Sequence, residues 1–146
     1  MNLEHYDIDF DDRRTVFEFT SVGVKGRITK VVQFSPISLK HLYNLGFGDK
    51  NELTGEVDDM VITNNGDAPK VLATVAFSVI TFANECPDAM IYATGSTLSR
   101  TRLYRMEIAR QLVAISEYFY VYGLLENEWE EFAANKNYQA FLIKRK

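Results

Sequence analysis

The stretch TVFEFTSVGVKGRITKVVQFSP, residues 15–36, decides the fold. Over 15–22 the side chains alternate. Phe17 and Phe19 share one face, and Val16, Glu18 and Thr20 share the other, the period of two that a half-buried strand requires. Gly23 and Gly26 bracket a turn. Over 27–35, Ile28, Val32 and Phe34 return to one face, with Lys30 interrupting it. Two such runs joined by a glycine-containing loop predict a β-hairpin. Pro36 has no N–H to give a ladder and so ends the second strand.

Working outward, His41–Phe47 reads as a third extended run, followed by the polar segment GDKNELTGEVDD (48–59). Met60–Thr63 predicts a short strand that stops at Asn64-Asn65-Gly66-Asp67. Asp67 as N-cap, Pro69 in the first turn and the recurrence of Val71, Val75, Val79 and Phe82 predict a helix ending before Pro87. Leu72, Ala76 and Ala83 widen its stripe. Phe77 and Ile80 fall outside it, which predicts burial on more than one face. A strand over Ala89–Ala93 follows. A second helix is expected from Ser99 to about Tyr118, capped by Ser99, with Leu98 packed on Leu103 as a hydrophobic staple. Phe119–Leu124 and Tyr138–Ile143 read as closing strands on either side of an acidic connector containing Trp129. The expected class is α+β, a mainly antiparallel sheet with two principal helices packed on one face.

Composition bounds the rest. The 146 residues are 47% hydrophobic, 25% charged and 13% aromatic, which fits one globular domain over 1–146 and excludes fibrous or disordered classes. Residues 1–14 carry Glu4, Asp7, Asp9, Asp11 and Asp12 ahead of the first basic residue and read as a solvated acidic arm. No apolar run approaches a membrane span, and the acidic start is unlike a signal segment, so no membrane partner is expected. One cysteine, Cys86, excludes an internal disulfide framework and suits a cytoplasmic location. His5 and His41 are the only histidines, too few for a histidine-rich zinc site.

The candidate site is the strand–turn–helix junction Ala93–Arg105. Gly95 lets a ligand approach the backbone, Ser96 and Thr97 offer donors, and a helix start presents free N–H groups and a positive dipole end. Arg100, Arg102 and Arg105 crowd the first turns, where the dipole disfavours cations by about 0.3–1 kcal/mol each. Residues 97–110 carry four arginines against one glutamate, a basic island in a chain of net charge −4. Two readings stand side by side: ion pairs with acids elsewhere in the fold, or an anion pocket, because guanidinium forks match phosphate. No Walker loop or dinucleotide fingerprint is present.

On the anion reading the protein is a binding module, and Gly95, Ser96, Thr97, Arg100, Arg102 and Arg105 hold a phosphorylated small molecule or a nucleic-acid end. An alternative is a phosphodiester-cleaving enzyme, a ribonuclease-like toxin, with Tyr104, His41 or a metal on Asp58 and Asp59 handling protons. A third is a homodimeric interaction protein using Tyr118, Tyr120 and Tyr122 on alternate strand positions. No metal site is expected. Asp58-Asp59 and Asn64–Asp67 read as loop, turn and helix cap, with a hard-cation site as their alternative. No residue pattern identifies a cofactor.

The strings TNNGD (63–67), KVLATV (70–75) and ATGSTLSRTRLYRMEI (93–108) together resemble a small uncharacterised family found mainly in Bacteroidota. The likeness extends to 15–36, 43–67 and YQAFLIKRK (138–146). It implies one complete domain, and no activity, cofactor or catalytic residue.

Overall fold

A computed structural model of the chain describes residues 4–58 and 64–146. It is a mixed α/β fold in which strand outweighs helix and pairing is mostly antiparallel. The contacts divide it into two compact units, one of Asn2–Ser35 and Gly46–Glu85, the other of Pro36–Leu45 and Cys86–Lys146. Among the described residues, no helix is long and apolar enough to cross a membrane.

The first unit is built on the hairpin. β2 (Val16–Gly23) pairs antiparallel with β3 (Gly26–Pro36), and β1 (Asp9–Phe10) adds to β2. Phe17, Phe19 and Ser21 are buried on one face and meet Val32, Lys30 and Ile28 across the ladder. Lys30 therefore belongs to the core face it was expected to interrupt. It is 1% exposed, and its Nζ lies 2.5 Å from Asp49 Oδ1. The second half of β4 (Leu42–Lys50) supplies Asp49, so the third strand runs through Gly48 and beyond the expected end at Phe47. β5 (Val57–Asp58) pairs with it. The expected strand over Met60–Thr63, and Asp59, lie outside the described residues.

α1 (Ala68–Glu85) buries Val71, Val75, Val79, Phe82 and Ala83. The Phe82 ring stacks on Phe34 with centroids 4.2 Å apart. Phe77, expected on a second buried face, is 42% exposed and stacks on His5 instead. In the expected solvated arm, Glu4, Asp7, Asp9, Asp11 and Asp12 are exposed, and Tyr6 anchors the segment before β1. Tyr6 N–H donates to Thr74 Oγ1 at 2.9 Å, and its hydroxyl donates to Asp67 Oδ2 at 2.6 Å. The ends of α1 and the hairpin are thus tied by polar contacts. Asn65, 1% exposed, accepts from Lys25 N–H and donates to the Gly26 carbonyl, while Ser21 hydroxyl donates to the same Asp67 oxygen.

In the second unit, the first half of β4 pairs parallel with β6 (Met90–Ala93). β6 pairs antiparallel with β9 (Ala140–Arg145), β9 with β7 (Phe119–Leu125), and β7 with β8 (Glu128–Glu131). Trp129 lies on β8, a strand that was read as connector. The β7–β8 turn uses Glu126 and Asn127 at φ 52° and 67°, the left-handed pair that a two-residue hairpin needs.

The second expected helix is two. α2 (Leu98–Arg110) ends at Gln111, whose ψ of 8° leaves the helical range, and α3 (Leu112–Ser116) restarts. The cap is Thr97, whose Oγ1 accepts from Arg100 N–H, and Ser99 falls inside the first turn. That one change removes the staple, because the residue before the cap becomes Ser96. Leu98 is 89% exposed. Among the residues of α2 only Thr101 is buried.

Candidate functional site: a cleft between the α2 start and the loop before β9

The chain leaves β6 at Ala93 and turns into α2 through Thr94–Thr97. The turn is tight. A Cβ on Gly95 would lie 2.4 Å from Thr101 N and 2.7 Å from Arg100 C, so the glycine serves close approach of the helix. Its N–H donates to Thr101 Oγ1 at 3.0 Å, and Thr101 in turn donates to the Thr97 carbonyl at 3.1 Å. The Gly95 N–H is thus already used within the turn.

Opposite this turn runs the segment 136–139. Thr94 hydroxyl donates to the Gln139 carbonyl at 2.8 Å. Between the two lies a cleft of about 780 Å³, lined on one side by Gly95–Leu98, Thr101, Arg102 and Arg105 and on the other by Asn137, Tyr138 and Gln139. That volume is in the range of small-molecule sites.

The three arginines separate. Arg102 is exposed on the cleft wall, and its guanidinium makes no ion pair or hydrogen bond among the described residues. Arg105 crosses to the facing segment, donating to the Lys136 carbonyl at 3.1 Å and to Asn137 Oδ1. Its acceptors are neutral oxygens. Arg100 turns to Ser96 Oγ and does not line the cleft. With the helix beginning at Leu98, only Arg100 lies in the first turn, so the dipole bears less on Arg102 and Arg105 than their crowding suggested. Glu107, the local acid, is held by Arg110 and Gln111.

The far wall is braced. Tyr138, 4% exposed, donates its hydroxyl to Glu130 Oε2 at 2.8 Å and accepts from Ala133 N–H at 3.0 Å. Lys136 Nζ reaches the same Glu130 oxygen at 2.7 Å. These bonds from Lys136 and Tyr138 hold the Glu130 carboxyl below its ordinary range. Burial first, and the bond to Glu130 after it, push the Tyr138 phenol up. The ring also lies against Gly123, where a Cβ would come within 2.3 Å of it.

Of the expected site residues, Gly95, Ser96, Thr97, Arg102 and Arg105 line one cleft and Arg100 does not. Asn137, Tyr138 and Gln139 were missed, since their strand was expected to start at Tyr138. The available signal was Asn135-Lys136-Asn137, turn chemistry ahead of a strand, with Asn135 at φ 69°. Among the described residues no histidine, aspartate or glutamate lines the cleft. Tyr104 and His41 do not line it either. Asp67 and Asn65, the residues of the alternative cation site, are engaged with Tyr6, Ser21, Lys25 and Gly26. No group of three metal-ligating side chains occurs among the described residues.

These features define a mixed α/β protein with an arginine-bearing cleft beside a helix start. A family model described as a family of unknown function (DUF6934) matches residues 2–146, and the chain belongs to that family. No curated protein and no solved structure matches it.

Proposed function

We propose that the cleft binds a phosphorylated ligand, a small molecule or a nucleic-acid end, and that the protein is a cytoplasmic binding module. The observation that carries this reading is Arg102: a guanidinium on the wall of a formed cleft, with no carboxylate or carbonyl partner among the described residues. Arg105 supports it from below, bonded only to neutral oxygens, so its charge is not cancelled. Ser96, Thr97 and Leu98, at the start of α2, border the same space, with Asn137 and Gln139 on its other side. A single cysteine and no long apolar helix among the described residues support the cytoplasmic placement.

Hydrogen bonds to charged groups are worth about 1.5–3 kcal/mol, so Arg102→Ala is expected to weaken binding at least about tenfold. Calorimetric titration of the full chain with pyrophosphate, and with a 5′-phosphorylated oligonucleotide against its dephosphorylated form, checks it. Equal binding by the parent and the folded Arg102→Ala variant would exclude the cleft. Equal binding of phosphorylated and dephosphorylated oligonucleotide would exclude a terminal phosphate as the recognised group.

A further inference from the structure

The hydrogen bonds within the cleft decide which polar groups its walls still offer. Ser96 Oγ accepts from the Arg100 guanidinium, and Thr97 Oγ1 accepts from the Arg100 N–H at 3.2 Å. On the other wall, Asn137 Oδ1 accepts from Arg105. Two arginines thus engage the oxygens of three neutral side chains. A hydroxyl oxygen that accepts from a donor is polarised to give its own proton, and an amide whose oxygen is engaged presents its N–H groups. Arg102 has donors alone, and its guanidinium has no partner among the described residues. The side-chain amide of Gln139 likewise has no partner among them.

We infer that the cleft selects an oxyanion that carries no proton, and discriminates against the monoprotonated form of a phosphate monoester. Such selection presupposes that the cleft binds phosphate, as proposed above. It defines the ligand class as phosphodiester, doubly ionised phosphate monoester or sulfate, which are acceptors only. A P–O–H group needs an acceptor of its own. Guanidinium, hydroxyl and amide protons leave that donor unmet, and no carboxylate among the described residues lines the cleft to take it. Gln139 offers a neutral oxygen, and rotation of its amide replaces that oxygen with N–H groups.

Arg102 and Arg105, on α2, are the charges that line the cleft, and Arg100 turns to Ser96 beside it. On the facing segment, Lys136 and Tyr138 are both bonded to Glu130, whose carboxyl they hold below its ordinary range. Glu107, further along α2, is held by Arg110 and Gln111. Histidine is the side chain whose ordinary value falls between about pH 5 and 8, and none lines the cleft among the described residues. A phosphate monoester loses its second proton in that window, at about pH 6, whereas sulfate has none to lose there.

The test is calorimetric titration of the full chain with glycerol phosphate and with sulfate, in steps between about pH 5 and 8 at constant ionic strength. Sulfate affinity is expected to stay level. Glycerol phosphate affinity is expected to fall below about pH 6, approaching about tenfold per pH unit as the dianion is depleted. Asn137→Asp, folded by circular dichroism, puts an anionic acceptor where a donor stood and is expected to weaken sulfate binding about tenfold or more. Equal glycerol phosphate affinity at both ends of the range would overturn the selection and leave the cleft as a phosphate site. Sulfate that weakens in parallel would place the titrating group on the protein and overturn it too. So would glycerol phosphate binding without sulfate binding, or an Asn137→Asp variant that binds sulfate like the parent. If the parent binds neither anion at any pH, the phosphate reading falls as well.

Discussion

Lys30 stands between Ile28 and Val32 on a strand face, opposite Phe19, and is 1% exposed. A charged group at that depth persists only with a partner, and Asp49, its side chain 11% exposed, provides it at 2.5 Å. Such a pair contributes little net stability over apolar side chains of the same size, yet breaking it leaves a buried carboxylate without its ammonium. Lys30→Met is therefore expected to destabilise the protein by about 3–5 kcal/mol in urea unfolding. Lys30→Met with Asp49→Leu is expected to lose clearly less than the sum of the two single losses; strict additivity would refute the coupling. The residue types of this pair were visible in the sequence, but their meeting was not. Lys30 breaks an otherwise clean apolar alternation, and its partner lies 19 positions away on another strand. Arg102 and Arg105 repeat the lesson. Their shared helix face followed from spacing, whereas the neutral partners of Arg105 come from more than thirty positions further on.

At the scale of elements, the hairpin, α1, β6 and the closing strands were legible because local period and turn chemistry specify them. The break at Gln111, the cap at Thr97 and strand β8 were not. Either hydroxyl, Thr97 or Ser99, can cap a helix, and the choice fell to the contacts of Gly95 and Thr101. The segment 130–138 shows how such an element is held. Glu130 is bonded by Lys136 and Tyr138, which lower its proton affinity in the folded protein. A group depressed in this way lends stability that is full above its unfolded value, near 4.5, and is lost as pH falls through the lower folded value. Acidification through this window is expected to raise amide hydrogen exchange at 133–138, with intrinsic exchange corrected for pH. Glu130→Gln is expected to show that loosened exchange already at neutral pH, and little further change on acidification.

For the whole molecule, each compact unit contains a tyrosine whose phenol is raised above the usual value of 10.0, Tyr6 in one and Tyr138 in the other. Burial leads both shifts, reinforced by bonds to Asp67 and Glu130 respectively. A raised phenol lends stability that is full below the unfolded value and is lost as pH rises through the folded one. Urea midpoints are thus expected to fall above about pH 10, and Tyr6→Phe is expected to flatten part of that fall. An unchanged slope in that variant would show that Tyr6 does not contribute.

The sequence by itself determined the mixed class, the mostly antiparallel pairing, the principal helix and the basic island at 97–110, because periodicity, caps and local charge are properties of neighbours along the chain. Tertiary structure alone decided that Lys30 is core, that Arg100 leaves the cleft while Arg102 faces it, and that 137–139 form its second wall. Those outcomes depend on which distant backbone carbonyls, amides and carboxylates arrive alongside, and partners brought together by folding leave no spacing in the sequence to read.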